Sequence, residues 1–361
     1  MNRKARCLAL GVLVLIAAGC AKNPPAPTVY VIRGASAGER LAAAELRRYL
    51  YLTTGELVPI REIYSLSQIR AGGVILDSQA RLFLDDAAAK AGFEPVSPKA
   101  GRELGLEGYW LKTLRQGSRR HLLIAGGSAL GTLYGAYAFI ERLGVRFYLE
   151  GDVVPEERTP FVLPDLDERA RPLFARRGVQ PFHDFPEGPD WWDEETYKTV
   201  LMQLPKLRMN VFGLHTYPEK NPNAEPTVWI GLPGEFDAAG NVRASYPSSY
   251  QNTLRSNPWS HNWGYRPKPT SGFHFGAAGL FERDDFGPEV MFGLMPEATA
   301  PDESNLLFNR TAAMLRRAFT LARRFGVLTC AGMETPLTVP ALVAERLEKA
   351  GRNPKDPAVL K

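Results

Sequence analysis

Arg171–Trp192 reads RPLFARRGVQPFHDFPEGPDWW. Its centre, Ala175–Phe182, reads as a short strand. Within ten residues of that strand come His183, Asp184, Glu187, Asp190, Trp191 and Trp192, and an amphipathic helix follows. A strand that ends in charged groups, a histidine and indoles, then feeds a helix, is the pattern of an active-site edge in a (β/α) barrel. Aromatic faces beside carboxylates also suit sugars, which present apolar C–H faces together with hydroxyls. The competing reading is a surface loop with two tryptophans packed beneath it.

Working outward, the 361 residues are enough for two domains. With 45% apolar and 23% charged residues, the composition is that of an ordinary globular protein. The N-terminus is read as targeting rather than fold. Arg3, Lys4 and Arg6 precede the apolar run Leu8–Ala18, which is too short to span a bilayer stably. The run ends Ala17-Ala18-Gly19-Cys20, which resembles the lipobox of bacterial lipoproteins, with Ala17 standing where leucine is typical. That resemblance implies a signal peptide over residues 1–19, lipid on Cys20, and an exported protein held at a membrane, periplasmic or on the cell surface. Asn23–Pro27 (NPPAP) reads as a short tether.

The formal charge of +5 includes those three leader cations; without them 41 Lys+Arg face 39 Asp+Glu. Nothing in that balance points to a nucleic-acid or anionic-membrane partner. The three cysteines are Cys7, Cys20 and Cys330, so no disulfide framework is expected and burial must hold the core.

Residues 28–155 read as an α+β module. Val29–Arg33 is a strand, and Ser36 and Glu39 have the spacing of a capping box for the helix that follows. That helix buries Ala42, Leu46, Tyr49, Leu50 and Thr53 and stops at Gly55. Leu57–Ile63 and Gly73–Asp77 are further strands. Tyr109–Arg115 and His121–Ala125 form a hairpin through Gly117-Ser118. After Gly126-Gly127, a second helix spans Ser128–Leu143, with Leu130, Leu133, Tyr134, Tyr137 and Ile140 on its apolar stripe and Gly131, Gly135 and Ala138 keeping another face narrow. Val145–Leu149 is again a strand.

The run Gly126–Pro155, GGSALGTLYGAYAFIERLGVRFYLEGDVVP, resembles the end of the N-terminal domain that precedes the barrel in α-glucuronidases and in family 20 β-hexosaminidases. The resemblance implies an α/β protein: a hexosaminidase-domain-2-like module followed by a (β/α)8 TIM barrel. It implies a brace without catalytic residues, so Gly127, Tyr134 and Tyr137 are read structurally. The same glycines do not make a dinucleotide loop, because a full G-x-G-x-x-G is missing.

Pro160, Pro164 and Pro172 among charges mark residues 156–172 as a linker. Beyond it the order is strand, helix, strand, insertion, helix, strand. Asp193 caps a helix with Tyr197, Val200, Leu201 and Leu204 on its buried stripe, ended or kinked by Pro205. Asn210–Leu214 is a strand followed by His215 and Glu219, and residues 220–301, rich in Gly, Pro, Asn and aromatics, are an insertion expected to form a subdomain over the barrel mouth. Asn305–Phe325 is a helix, and Val327–Met333 is a strand with Glu334 at its end. Such alternation argues for parallel strands. Residues 173–361 hold about three βα units, whereas a full barrel has eight in roughly 250 residues. The expectation is a partial barrel in a truncated chain.

The motifs RG, N.FGLHTY and G.E near the three strands extend the resemblance to the front of the catalytic barrel. It implies hydrolysis of O-glycosyl bonds, for which two carboxyl groups flank the scissile bond. Family 20 enzymes place an adjacent Asp-Glu pair after strand four and use the substrate's acetamido group as nucleophile. The pairs Asp167-Glu168, Asp193-Glu194 and Asp302-Glu303 sit in a linker and at helix starts, as caps and solvated charges. The catalytic acid is therefore expected beyond Lys361, with Glu334 the one weak catalytic candidate here. The expected sugar contacts are Arg177, by similarity to a family 20 arginine, with His183, Asp184, Trp192, His215, Glu219 and Glu334. No cofactor is expected, and no metal, since the histidines lack ligand spacing. A non-catalytic carbohydrate-binding lipoprotein is the other reading.

Overall fold

A computed structural model describes residues 27–83, 87–94, 96, 103–181, 189, 192–216, 227–247, 300–333 and 339–359. Three strands with bulky apolar residues on both faces begin it. These are β1 (Thr28–Ile32), β2 (Ile60–Ile63) and β3 (Gly73–Leu76), all parallel. The hairpin β4 (Tyr109–Gln116) and β5 (Arg119–Gly126) joins them, β5 parallel to β3 and β4 antiparallel to β5. Two short strands, β6 (Arg146–Phe147) and β7 (Asp152–Val153), form their own antiparallel pair. A further strand, β8 (Asp167–Ala170), pairs antiparallel with β4, giving the order β2-β1-β3-β5-β4-β8.

β8 corrects the linker assignment. Asp167 does not sit in a solvated tether: it accepts hydrogen bonds from Trp110 Nε1 (2.7 Å) and Lys112 Nζ (2.7 Å), and Glu168 pairs with Arg142. Its charges hid it from pattern reading, because an edge strand with exposed side chains carries no apolar alternation.

One face of this sheet is covered by α1 (Ala37–Thr54) and α2 (Ala129–Arg142). The capping box at Ser36 and Glu39 is present in both directions, and Gly55 takes the left-handed conformation at the helix end. Val29, Val31, Leu46, Leu122, Ile124 and Tyr137 pack in the layer between. The opposite face is closed by the turns and loops between β2 and β4, over Tyr30, Ile75, Phe93, Trp110 and Leu123. Both faces of the parallel part are thus sealed, as parallel sheets require.

The glycines around α2 explain how closely it approaches. A Cβ on Gly127 would collide with the Gly105 carbonyl, one on Gly131 with the Gly108 carbonyl, and one on Gly135 would lie 2.8 Å from Ile124 Cγ2. The loop 103–108 fills the space in which a phosphate-cradling loop would hold its ligand.

The second part starts with three parallel strands, β9 (Gly178–Val179), β10 (Val211–Thr216) and β11 (Leu328–Met333), in the order β11-β10-β9. β9 is shorter than the expected Ala175–Phe182. The Ala175 carbonyl accepts from the Asn210 side chain (2.9 Å) rather than from a ladder N–H, and residues 182–188 lie outside the described set. Two crossover helices follow, α3 (Glu194–Lys206), with Pro205 in its last turn, and α4 (Pro301–Arg324). Asp193 caps α3 through Thr196 N (2.8 Å), and Glu303 accepts from Ala300 N (2.9 Å) at the start of α4. Tyr197, Leu201, Leu204, Phe212, Leu214 and Ala318 form the core between strands and helices. A last helix, α5 (Ala341–Lys349), encloses a separate small core with Tyr246, Phe308 and Val339.

Two substitutions separate close packing from backbone conformation. Gly127→Ala should destabilise the protein by about 2 kcal/mol or more, because the loop at Gly105 must move. Gly34→Ala, where φ is +75° and nothing stands within 4 Å, should cost only about 1 kcal/mol. Paired denaturant titrations measure the difference; equal losses would mean that the loop 103–108 contact does not hold α2.

Candidate functional site

The parallel trio has two faces and two edges, and they sort the candidate residues. Phe212 and Leu214 point into the core with α3 and α4, so the alternate positions Val211, Gly213 and His215 lie on the other face, half-exposed. The register places Leu328, Cys330 and Gly332 beside them. At Gly332 an added Cβ would meet no atom of the described residues within 4 Å. Thr216 and Met333 are register partners at the C-terminal edge, where Thr216 Oγ1 donates to the Gly332 carbonyl (3.4 Å).

Gln180 belongs to the same open face. A Cβ at Gly213 would lie 3.2 Å from its Cγ and 3.3 Å from its Oε1, so the Gln180 amide lies across a strand position that has no side chain. Sequence reading passed over it. The signal was the two-residue spacing from Gly178, which becomes legible once the strand's faces are assigned.

Arg177 lies elsewhere. It precedes β9 and therefore sits at the N-terminal edge of the strands, opposite Thr216 and Met333. Its Nε donates to the Arg208 carbonyl (2.7 Å), its Nη1 to the Phe174 carbonyl (2.6 Å), and its Nη2 pairs with Glu107 of the first part. Glu107 also accepts from Asn210 Nδ2 (2.8 Å), and Asn210 Oδ1 accepts from Arg177 N (3.0 Å). These contacts use the guanidinium at the junction between the two parts.

Trp192 lies on the helix side of the strands. It stands one residue before the Asp193 cap and packs edge-on against Tyr197, ring centroids 5.2 Å apart, and at 6.4 Å from Phe212. That is a hydrophobic staple, an apolar pair that fixes how the chain enters a helix. It places the indole on the helix side of the sheet, away from His215. His183, Asp184, Glu219, Glu334, Trp191 and Cys20 lie outside the described residues, as do Trp259, Trp263, His261 and His274.

The described part of the insertion, residues 227–247, packs on the early turns of α4. Asn309 Oδ1 accepts from Val242 N (2.7 Å), and Tyr246 stacks edge-on with Phe308 at 5.2 Å. Since α4 must return the chain to the start of β11, its early turns lie toward the C-terminal edge of the strands. Trp229 is tied down by its indole N–H to the Ala244 carbonyl (3.2 Å).

The acid and imidazole that burial drives most strongly toward their neutral forms lie in the first part. Burial pushes Asp77 up to about 7, against the Leu82 N–H and the Arg81 charge. Burial, helped by Arg119, takes His121 down to about 4. Asp77 and Glu39 share Arg81 beneath the start of α1, and Glu39 also accepts from Ser36 and Ser78. This arrangement ties loop ends together around filled space. No group of three or more His, Cys, Asp or Glu able to hold a metal occurs among the described residues.

The two parts are joined by a second polar contact. Asp152 on β7 accepts from Lys206 Nζ (2.8 Å) and Gln203 Nε2 (2.9 Å) of α3 and from the Tyr49 hydroxyl of α1. The Lys206 and Asp152 side chains are only 7% and 13% exposed. Burial alone would push the Asp152 carboxyl up, but the bonds from Lys206, Tyr49 and Gln203 outweigh it and hold the group below its ordinary value.

Residues 83–139 match the family model described as the glycosyl hydrolase family 67 N-terminus. The match overlaps the Gly126–Phe139 part of the run that resembles the pre-barrel domain of glycosidases. No curated protein matches the chain. Among solved structures, a GH138 enzyme targeting pectin rhamnogalacturonan II is similar at 13% identity and a TM-score of 0.44, over 91% of this chain and 34% of its own. A family GH115 4-O-methyl-α-glucuronidase with specificity for decorated arabinogalactans is similar at 15% identity and 0.38, over 81% and 40%. The GH20 β-N-acetylhexosaminidase from Streptomyces coelicolor A3(2) is similar at 12% identity and 0.34, over 87% and 63%. The chain thus spans between a third and two thirds of the length of these structures.

The junction carries a pH signature. A carboxyl held low in the folded state contributes stability that is present above its unfolded value, near 4, and lost as pH falls through the folded value. Asp152→Asn leaves Lys206 buried without its counter-charge and should cost about 3 kcal/mol at pH 7. Acid titration of both proteins should show the gap closing at the lowest pH. A gap that stays constant with pH would remove the ion pair from the account.

Proposed function

We propose that this chain belongs to an exported glycoside hydrolase of the α-glucuronidase or β-N-acetylhexosaminidase kind. Residues 28–155, completed by β8, brace it, and residues 173 onward form βα units of a (β/α)8 barrel. The observation that carries the reading is the parallel trio β9-β10-β11, sealed by helices on one face and, among the described residues, covered by no helix on the other. Its open face offers Gln180 and His215, an amide and an imidazole suited to hydrogen-bonding sugar hydroxyls. In a (β/α) barrel the C-terminal edge of the strands is where substrate binds. His183 and Asp184 follow β9 in sequence, Glu219 follows β10, and Glu334 directly follows β11, so the sequence supplies a carboxylate after each strand and an imidazole after β9. The family 67 match in residues 83–139 supports the same assignment. Lipid attachment at Cys20 and an extracytoplasmic location are part of the proposal.

Full-length protein assayed on aryl glucuronides and aryl N-acetylhexosaminides should release aglycone from one class. Glu334→Gln should lower kcat/KM at least about tenfold with unchanged thermal midpoint, as expected for loss of a positioned acid–base or sugar-binding group. His215→Ala should act mainly on KM. Release that is indifferent to Glu334→Gln would make Glu334 scaffolding. Measurable oligosaccharide binding without release from either class would leave a binding lipoprotein.

A further inference from the structure

The sheet of the first part ends at β2, which pairs with β1 and with no other strand among the described residues. Hydrogen bonds assign its two sides. Val29 N donates to the Pro59 carbonyl (2.9 Å) and Arg33 N to the Ile63 carbonyl (2.8 Å), so the odd-numbered residues turn their main chain toward β1. Main-chain groups alternate sides along a strand, so the N–H and C=O of Ile60 and Glu62 point outward. Pro59 does not guard that edge. Its missing N–H lies on the β1 side, whereas a proline that blocks pairing turns that side to solvent. The free edge stops at Tyr64, whose N–H is taken by Gln68 Oε1 (2.6 Å).

Beside this edge a groove of about 310 Å³ opens between β2 and the outer side of α1. Leu52, Leu57 and Ile60 give it an aliphatic floor, and Leu57 is 61% exposed. Arg47, Arg48 and Tyr51 form the α1 wall, and the two arginines are the only charged lining groups among the described residues. Arg48 has Glu45 at 3.8 Å, whereas Arg47 makes no ion pair among the described residues. Arg158 adds a third guanidinium over the Tyr51 ring, 5.7 Å from its centre. We infer that the β2 edge docks an extended, acidic segment of a partner protein that carries an aliphatic side chain. Its main chain would bond Ile60 and Glu62, its aliphatic residue would fill the groove over Leu57 and Ile60, and its carboxylates would meet Arg47 and Arg48. In strand addition of this kind, main-chain bonds supply affinity and the pocket for alternate side chains supplies selectivity. A sugar chain fits less well, because it brings no regular N–H and C=O pairs to the edge and finds one aromatic ring in an aliphatic groove. The inference uses none of the residues on the open face of β9-β10-β11 and stands apart from the glycosidase reading.

The test uses the full chain and a fluorescein-labelled peptide with a central leucine flanked by threonine and glutamate, read by anisotropy. It should bind at least about tenfold tighter than the same peptide with lysine for glutamate, and salt should narrow the gap. Serine in place of the leucine, or methylation of alternate main-chain nitrogens, should each remove most of the binding. On the protein, Glu62→Pro removes an outward N–H without touching the β1 ladder, and Arg47→Glu reverses the charge at the rim. Each should weaken binding about tenfold or more with little change in thermal midpoint. The methylated peptide makes the same test of the edge without altering the protein, should Glu62→Pro fail to fold. Equal binding of the acidic and basic peptides overturns the inference, as does binding that survives main-chain methylation. Displacement of the peptide by polygalacturonate also overturns it, making the groove a polyanion site. So does a concentration-dependent dimer abolished by Glu62→Pro, which would give the edge to a second copy of the chain.

Discussion

Asp152 is the group on which three elements converge. It sits on a two-stranded hairpin, accepts from α1 through Tyr49, and accepts from α3 through Lys206 and Gln203. A nearly buried lysine is tolerated only because this carboxylate faces it, and removing either partner leaves an uncompensated charge. The Glu107–Arg177–Asn210 network repeats the device at the start of the parallel strands. Together the two contacts orient β9-β10-β11 against the first part. The ring faces of Tyr49 and Phe147 lie 5.8 and 5.6 Å from Lys206 Nζ and add cation–π support.

With the strands oriented, the division of their faces follows. Phe212 and Leu214 need burial, so α3 and α4 cover that side, and alternation assigns His215, Gly213 and Gln180 to the other. The site is therefore a by-product of where apolar residues had to go. Trp192 illustrates the same logic in reverse: an indole at a helix entry gains more from Tyr197 and Phe212 than from solvent, so it serves as a staple.

Much of the architecture was legible along the chain. The Ser36/Glu39 box, Gly55, the Gly117-Ser118 hairpin, Asp193 and the stripes of the long helices are local signals, settled within one or two turns, and all are present in the structure. The glycine run at 126–131 was read as close packing, and the Gly105 and Gly108 carbonyls are what it packs against. The polar edge strand β8 was not legible, because its pairing with β4 joins residues more than fifty positions apart and leaves no periodic mark. The position of Arg177 was not legible for a related reason. Its sequence neighbourhood places it beside a strand but does not say at which end, and an arginine pairs with a distant glutamate as readily as with a sugar.

What the sequence by itself determined is the set of elements, their order, the alternation that demands parallel strands, and a second part enriched in aromatics, carboxylates and histidines. Those follow from propensity, capping and periodicity, which act over a few residues. Only the tertiary structure decided which face of β10 is open, that Gln180 shares it with His215, and that Arg177 and Trp192 belong to the junction and the helix layer. Those outcomes depend on contacts between residues far apart in the chain, Asp152 with Lys206 and Glu107 with Asn210, whose energies exist only once burial has stripped water from them.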